Sequence, residues 1–293
     1  CIRDRNTVDG KFFVTARGWE DLSEILKSYE ELQVEIGEEL IGEFLQKEEI
    51  ARDFAGYYRL YEKYKSDYQI QEILDGNVTS RQLKTCCDMG KQASFEERFT
   101  VTEMLLEAVT ERISSFQKTD EKTEKLYGNL KLLKVFLQEK NSVEAMEQFI
   151  VSRRKALDAK ICSELLTAEE AAREEEQIRI LEEYFFQLKE LHISDVAEGI
   201  EQIGERFGNV CRLRNEKLEE TKKMLEQAFS FLEECFGEGQ ELLLFETGLT
   251  GDDRCSIFIS QYGCPSYFKH CELLLYSKKE NELRKECRDL LED

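Results

Sequence analysis

Trp19-Glu20-Asp21-Leu22-Ser23-Glu24-Ile25-Leu26-Lys27-Ser28-Tyr29-Glu30 decides how this chain is read. Leu22, Ile25, Leu26 and Tyr29 recur at three- and four-residue spacing, which lines one face of an α-helix and not one face of a strand. In front of them lie Phe12-Phe13-Val14-Thr15-Ala16-Arg17-Gly18, so Arg17 falls at the head of a helix over about residues 19–32. Trp19, the one tryptophan of the chain, sits on the apolar stripe and reads as a packing residue.

Working outward, residues 1–15 carry the turn signal Val8-Asp9-Gly10 and read as a surface connection into that helix. A second helix is predicted over 38–46 from Leu40, Ile41, Phe44 and Leu45, and a third over about 48–65 from Ile50, Phe54, Tyr57, Tyr58, Tyr61 and Tyr64. Five tyrosines fall between 57 and 68, and at helical spacing they read as core with hydroxyls at the rim, in preference to a base-stacking surface. After Ile70–Leu74, Gly76 is a left-handed helix cap and the predicted domain boundary, giving domains 1–76 and 77–293.

Residues 77–93, with the vicinal Cys86-Cys87, read as a helix turn and a connector. The patterns Ser94-Phe95-Glu96-Glu97, Thr100-Val101-Thr102-Glu103 and Thr167-Ala168-Glu169-Glu170 are three capping boxes, each offering a side-chain oxygen to unpaired amides at a helix start. Between the helix that the first two open and one marked by Leu126, Leu130, Leu133 and Leu137, the polar stretch Gln117–Lys125 reads as a loop. Further helices are predicted over Ser142–Glu164, from Thr167 through Leu188, and over Ser194–Phe236 with a break near Gly204 or Gly208. A glycine-hinged turn at Gly237 and Gly239 then joins two buried helices. Long helices joined by short turns pack antiparallel, so the fold class is all-α: a small helical bundle and a larger, extended helical domain.

Composition agrees. The chain holds 293 residues and one proline, against roughly fifteen at average usage of about 5%. With 62 acidic and 41 basic residues the formal net charge is -21, which repels nucleic acid and anionic membranes, and the longest basic run is Arg153-Arg154-Lys155, read as a solvated face. No apolar stretch approaches the roughly 20 residues of a membrane span. Without a leader and with ten cysteines scattered singly apart from Cys86-Cys87, the chain reads as cytoplasmic and its thiols as reduced, small core groups. It opens at Cys1 without a methionine and so reads as part of a longer protein.

Chemistry is sparse. Cys255, Cys264, His270 and Cys271 have the atom types of a zinc site but not its paired spacing. With two histidines, His192 and His270, a nucleophile–histidine centre has little material, and His192 reads as a helix-end residue. Gly10-Lys11 and Gly90-Lys91 lack the upstream glycine and the following Ser or Thr of a phosphate loop, so this chain by itself is not expected to hydrolyse ATP.

The order Val14-Thr15-Ala16-Arg17 before a helix, continued by Leu40-Ile41-Gly42-Glu43-Phe44-Leu45-Gln46 and Ile50-Ala51-Arg52-Asp53-Phe54-Ala55-Gly56-Tyr57-Tyr58, resembles the helical lid of MoxR-type AAA+ ATPases, although the usual Gly-x-Ser-Pro-Arg is absent. The resemblance implies that Arg17 is a cofactor-binding sensor reaching the γ-phosphate of ATP. It implies that ATP and Mg bind a core lying before this chain. It further implies a ring of subunits, a hexamer, with chaperone-like remodelling activity and a von Willebrand A domain partner. The acidic helical extension would then offer a docking surface. Two alternatives stand beside it: a free-standing acidic helical scaffold or adaptor, and an enzyme with a site inside its own bundle.

Overall fold

Thr15 stops the chain in extended conformation at φ −76 and ψ 152 and accepts a hydrogen bond on Oγ1 from the Gly18 amide, and α1 (Ala16–Glu31) starts there. The computed structural model describes residues 5–275 except 8, 9, 13, 33 and 138–140. Before α1, β1 (Arg5–Thr7) and β2 (Gly10–Phe12) pair antiparallel with Arg5 opposite Phe12. The predicted turn at Val8-Asp9 lies outside the described residues. Beyond this short pair the described chain is all-α.

Two compact units divide the chain, and they are not separated by one cut. The first takes in residues 1–73, 77–105 and 231–242, and the second 74–76, 106–230 and 243–293. A division at residue 76, as read from the sequence, would place 77–105 and 231–242 with the other part of the chain.

In the first unit, α1, α2 (Glu38–Leu45) and α3 (Glu48–Tyr68) close around Leu22, Ile41, Leu45, Ala51 and Ala55, with Trp19 and Phe54 packed against them edge to face at 5.2 Å. Tyr58 and Tyr68 are buried and their hydroxyls donate to Glu30 at 2.9 Å and Glu97 at 2.8 Å, so burial and then these carboxylates push both phenols up. Tyr58 and Tyr68 are core with hydroxyls at the rim, as the spacing implied, whereas Tyr61 and Tyr64 are half-buried and Tyr57 is exposed. The short α4 (Ile70–Asp75) ends at Gly76, whose φ of 71 makes it the left-handed cap.

Three readings of the middle of the chain are corrected. Residues 77–93 are not a connector: α5 (Ser80–Gln92) starts on a full capping box between Thr79 and Gln82, which lacks the usual acidic N3 residue. The helix α6 runs unbroken from Phe95 to Phe136 over 42 residues, so Gln117–Lys125 is no loop. Ser94 caps it, its Oγ accepting from the Glu97 amide at 3.2 Å, whereas Thr100 lies inside it and turns its hydroxyl back to the Glu96 carbonyl. The third concerns α9 (Val196–Phe236), which continues through Gly204 and Gly208, and the residue just before each of them, Ile203 and Phe207, packs on the core.

In the second unit α7 (Ser142–Cys162) and α8 (Ala168–Glu190), the latter opened by the predicted Thr167–Glu170 capping box, share a core with α6 and α9 centred on Leu133, Met146, Phe149, Leu181 and Leu188. Arg153 and Arg154 of the basic triplet pair with Glu174 and Glu182 across α7 and α8. The second unit also holds the later residues of α10 (Gln240–Gly251), with α11 (Asp253–Tyr262) and α12 (Pro265–Leu275). Gly237, at φ 75, makes the predicted turn between α9 and α10.

Candidate functional site

The head of α1 is where the fold exposes a charged group in front of a packed scaffold. Trp19 and Leu22 turn inward, and Gly18 comes so close to the end of α2 that a Cβ there would lie 2.8 Å from the Phe44 carbonyl oxygen. Arg17 is left on the outer side with 87% of its side chain exposed, its Nε 3.7 Å from Asp21 Oδ2 one turn on. An exposed pair at that distance is worth about 0 to 1 kcal/mol, so a phosphate oxygen competes with it readily. The first turn of α1 carries no acidic side chain, and its free amides, with the helix dipole, add a local positive potential.

Elsewhere the polar groups that sequence left unassigned fall into clusters in the second unit. Asp120 accepts from Arg214 Nε at 2.7 Å and from the Tyr262 hydroxyl at 3.1 Å, while Arg214 Nη2 donates to the Tyr262 oxygen at 2.7 Å. The guanidinium lies over Phe116, 5.2 Å from the ring centre. Each of the three groups is bonded to the other two, which ties the cluster together as an element of packing.

The four residues with zinc-type atoms do not come together. Cys255 faces Thr110 at 3.6 Å, Cys264 faces Glu226 at 3.1 Å, and His270 stacks on Phe229 at 5.8 Å. Burial pushes the Cys255 thiol up to about 11 and the Cys264 thiol up to about 12, so neither is a ready nucleophile. Among the described residues no group of three or more His, Cys, Asp or Glu side chains could hold a metal ion. His192 has φ 54 just past α8, a helix-end position as expected.

No protein-family model, curated protein or solved structure matches this chain.

Sequence reasoning missed two features of these units. Glu246 of α10 is 2% exposed, its Oε1 has no hydrogen-bond partner, and burial raises its carboxyl, with His270 opposing that shift. Nothing in Phe245-Glu246-Thr247 distinguishes it from dozens of solvated acids. The other is a disulfide between Cys87 and Cys235, which overturns the reading of the cysteines as all reduced. The vicinal pair was the visible signal, but the partner lies 148 residues away, beyond any local pattern.

Proposed function

We propose that this chain is the lid and C-terminal helical region of a MoxR-like AAA+ ATPase, with Arg17 as the residue that senses the γ-phosphate. The observation that carries the reading is the exposed Arg17 guanidinium at the head of a helix whose opposite side is locked by Trp19, Leu22 and Gly18. A rigid helix carrying an always-charged fork at its tip converts the presence or loss of a phosphate into a change in lid angle. ATP and Mg belong to the core that this lid serves, and the intact assembly is a subunit ring, a hexamer, acting as a remodelling chaperone beside a von Willebrand A domain protein. The long acidic helices α8 and α9 supply its docking surface. Among the described residues no helix is long and apolar enough to cross a bilayer.

The test begins with the coding sequence upstream of the Cys1 codon, where a phosphate loop and an acidic magnesium motif are expected. In the intact product, Arg17→Ala should lower kcat for ATP hydrolysis by about 100-fold or more, the usual cost of removing a transition-state donor. An open frame without those motifs would replace this reading with the acidic helical scaffold, and an Arg17→Ala enzyme of undiminished kcat would remove the sensor role.

A further inference from the structure

We propose that Cys87 and Cys235 form a reversible thiol–disulfide site, opened by dithiol reductants and closed by small disulfides, that governs the attachment of residues 231–242 to α5. Both residues belong to the first unit, and their α-carbons are 4.3 Å apart. Cys87 is 5% exposed and Cys235 2%, so the bond is shielded while the helices are in place.

What makes the site reversible is that packing, independent of the bond, brings the two sulfurs together. Gly90 lies one turn along α5 from Cys87, and the ring of Phe236, the neighbour of Cys235, fills the space over it: a Cβ on residue 90 would lie 2.8 Å from Phe236 Cε1. Phe231, one turn before, meets Phe236 edge to face at 6.2 Å. After reduction these contacts keep both thiols at high effective concentration, so the pair re-forms in preference to any other.

Cys86 does not compete. Its thiol is buried against the carbonyls of Tyr68 at 3.7 Å and Asp67 at 3.9 Å, and burial raises it, which keeps it from the thiolate form that attacks disulfides. Among the described residues Cys162, Cys211, Cys255, Cys264 and Cys271 remain thiols as well, so the Cys87–Cys235 bond is not accompanied there by others.

The chemistry balances as ordinary exchange. One thiolate of a dithiol attacks a sulfur of the pair, forming a mixed disulfide and expelling the other cysteine as thiolate, which takes a proton. The second thiol of the reductant then displaces the protein sulfur. Two electrons and two protons pass to Cys87 and Cys235, and the dithiol leaves as a disulfide. Oxidised glutathione drives the reverse through the same kind of mixed-disulfide intermediate. Access requires the end of α9 to lift from α5, and Gly237, at φ 75 immediately after Phe236, ends the helix where such lifting would begin.

The test equilibrates the full chain in glutathione buffers of graded ratio, with differential alkylation and mass spectrometry reading each cysteine and hydrogen exchange reading the backbone. A Cys87–Cys235 linked peptide should form under oxidised glutathione and be lost, and then regained, on treatment with and removal of dithiothreitol. Reduction should speed exchange at 231–236 by about tenfold or more while leaving 48–68 unchanged, since opening is local. The Cys87→Ser/Cys235→Ser double variant should show the reduced pattern in every buffer, and Cys86→Ser should leave the titration unaltered. A link that does not form, a link that uses Cys86 instead, or exchange at 231–236 that ignores the redox state would overturn the proposal.

Discussion

A methyl group at position 18 would lie 2.8 Å from the Phe44 carbonyl oxygen, and the nearby residues Ile41 and Leu45 share their core with Leu22 of the helix whose first turn holds Gly18. Because the obstacle is backbone, it cannot rotate away. Gly18→Ala gains about 1 kcal/mol of helix propensity and meets overpacking strain of about 1 to 3 kcal/mol, so a net loss of stability of about 1 kcal/mol is expected. Arg17→Ala removes only an exposed pair and should change stability by less than about 0.5 kcal/mol. Urea unfolding of both variants separates the two roles; a Gly18→Ala protein as stable as the parent would refute the close approach. The position of Arg17 was legible because helical spacing after residue 19 fixes where a helix can start. The role of Gly18 was not, because it depends on a carbonyl from another helix.

At the scale of elements, hydrophobic spacing located the helices, and errors arose where polar side chains face another helix. Gln117–Lys125 looks like a loop because polarity ordinarily marks solvent, yet within α6 Asp120 bonds Arg214, Lys122 pairs with Glu176, and the Lys122 carbonyl accepts from Gln177 at 3.3 Å. A polar seam between helices has the composition of a loop and the geometry of a core. Helix caps were more legible: Thr167 and Ser94 both cap as their spacing implied. Asp252, at the head of α11, illustrates the energetics. Its Oδ1 accepts from the amides of Arg254 at 2.9 Å and Cys255 at 3.1 Å. Burial would raise its carboxyl, but the Arg254 side chain and these amides outweigh it and hold it below the usual range. A depressed carboxylate contributes stability that is present above its unfolded value of about 4 and disappears as pH falls through the lower folded value. Asp252→Ala should therefore cost about 1 kcal/mol at pH 7, and Asp252→Asn, which keeps an acceptor, markedly less. The gap between parent and Ala variant should close as pH falls below about 4. Thermal unfolding across pH measures it, and a gap that persists unchanged in acid would remove the charge from the explanation.

At the scale of the whole molecule, the reading as all-α with no membrane-spanning helix among the described residues followed from one proline, helical spacing and the absence of long apolar runs. How the chain is divided did not. Local spacing detects where a helix stops, as at Gly76, but cannot detect that residues 231–242 return to the unit built from 1–73 and 77–105. The Cys87–Cys235 bond is the covalent form of that return. Closing a loop between residues 148 apart removes conformational freedom from the unfolded chain worth about 5 kcal/mol in the chain-entropy treatment. Total stabilities of about 5 to 15 kcal/mol make that a large share. Because the same packing that aligns the sulfurs survives reduction, the reduced chain should still fold, with a lower urea midpoint and its helical circular dichroism retained in water. The Cys87→Ser/Cys235→Ser chain should match the reduced parent, and dithiothreitol should shift the parent but not the double variant. Equal midpoints for oxidised and reduced parent would mean that the closed loop contributes no stability, and loss of helical signal on reduction would mean that packing alone does not hold the end of α9.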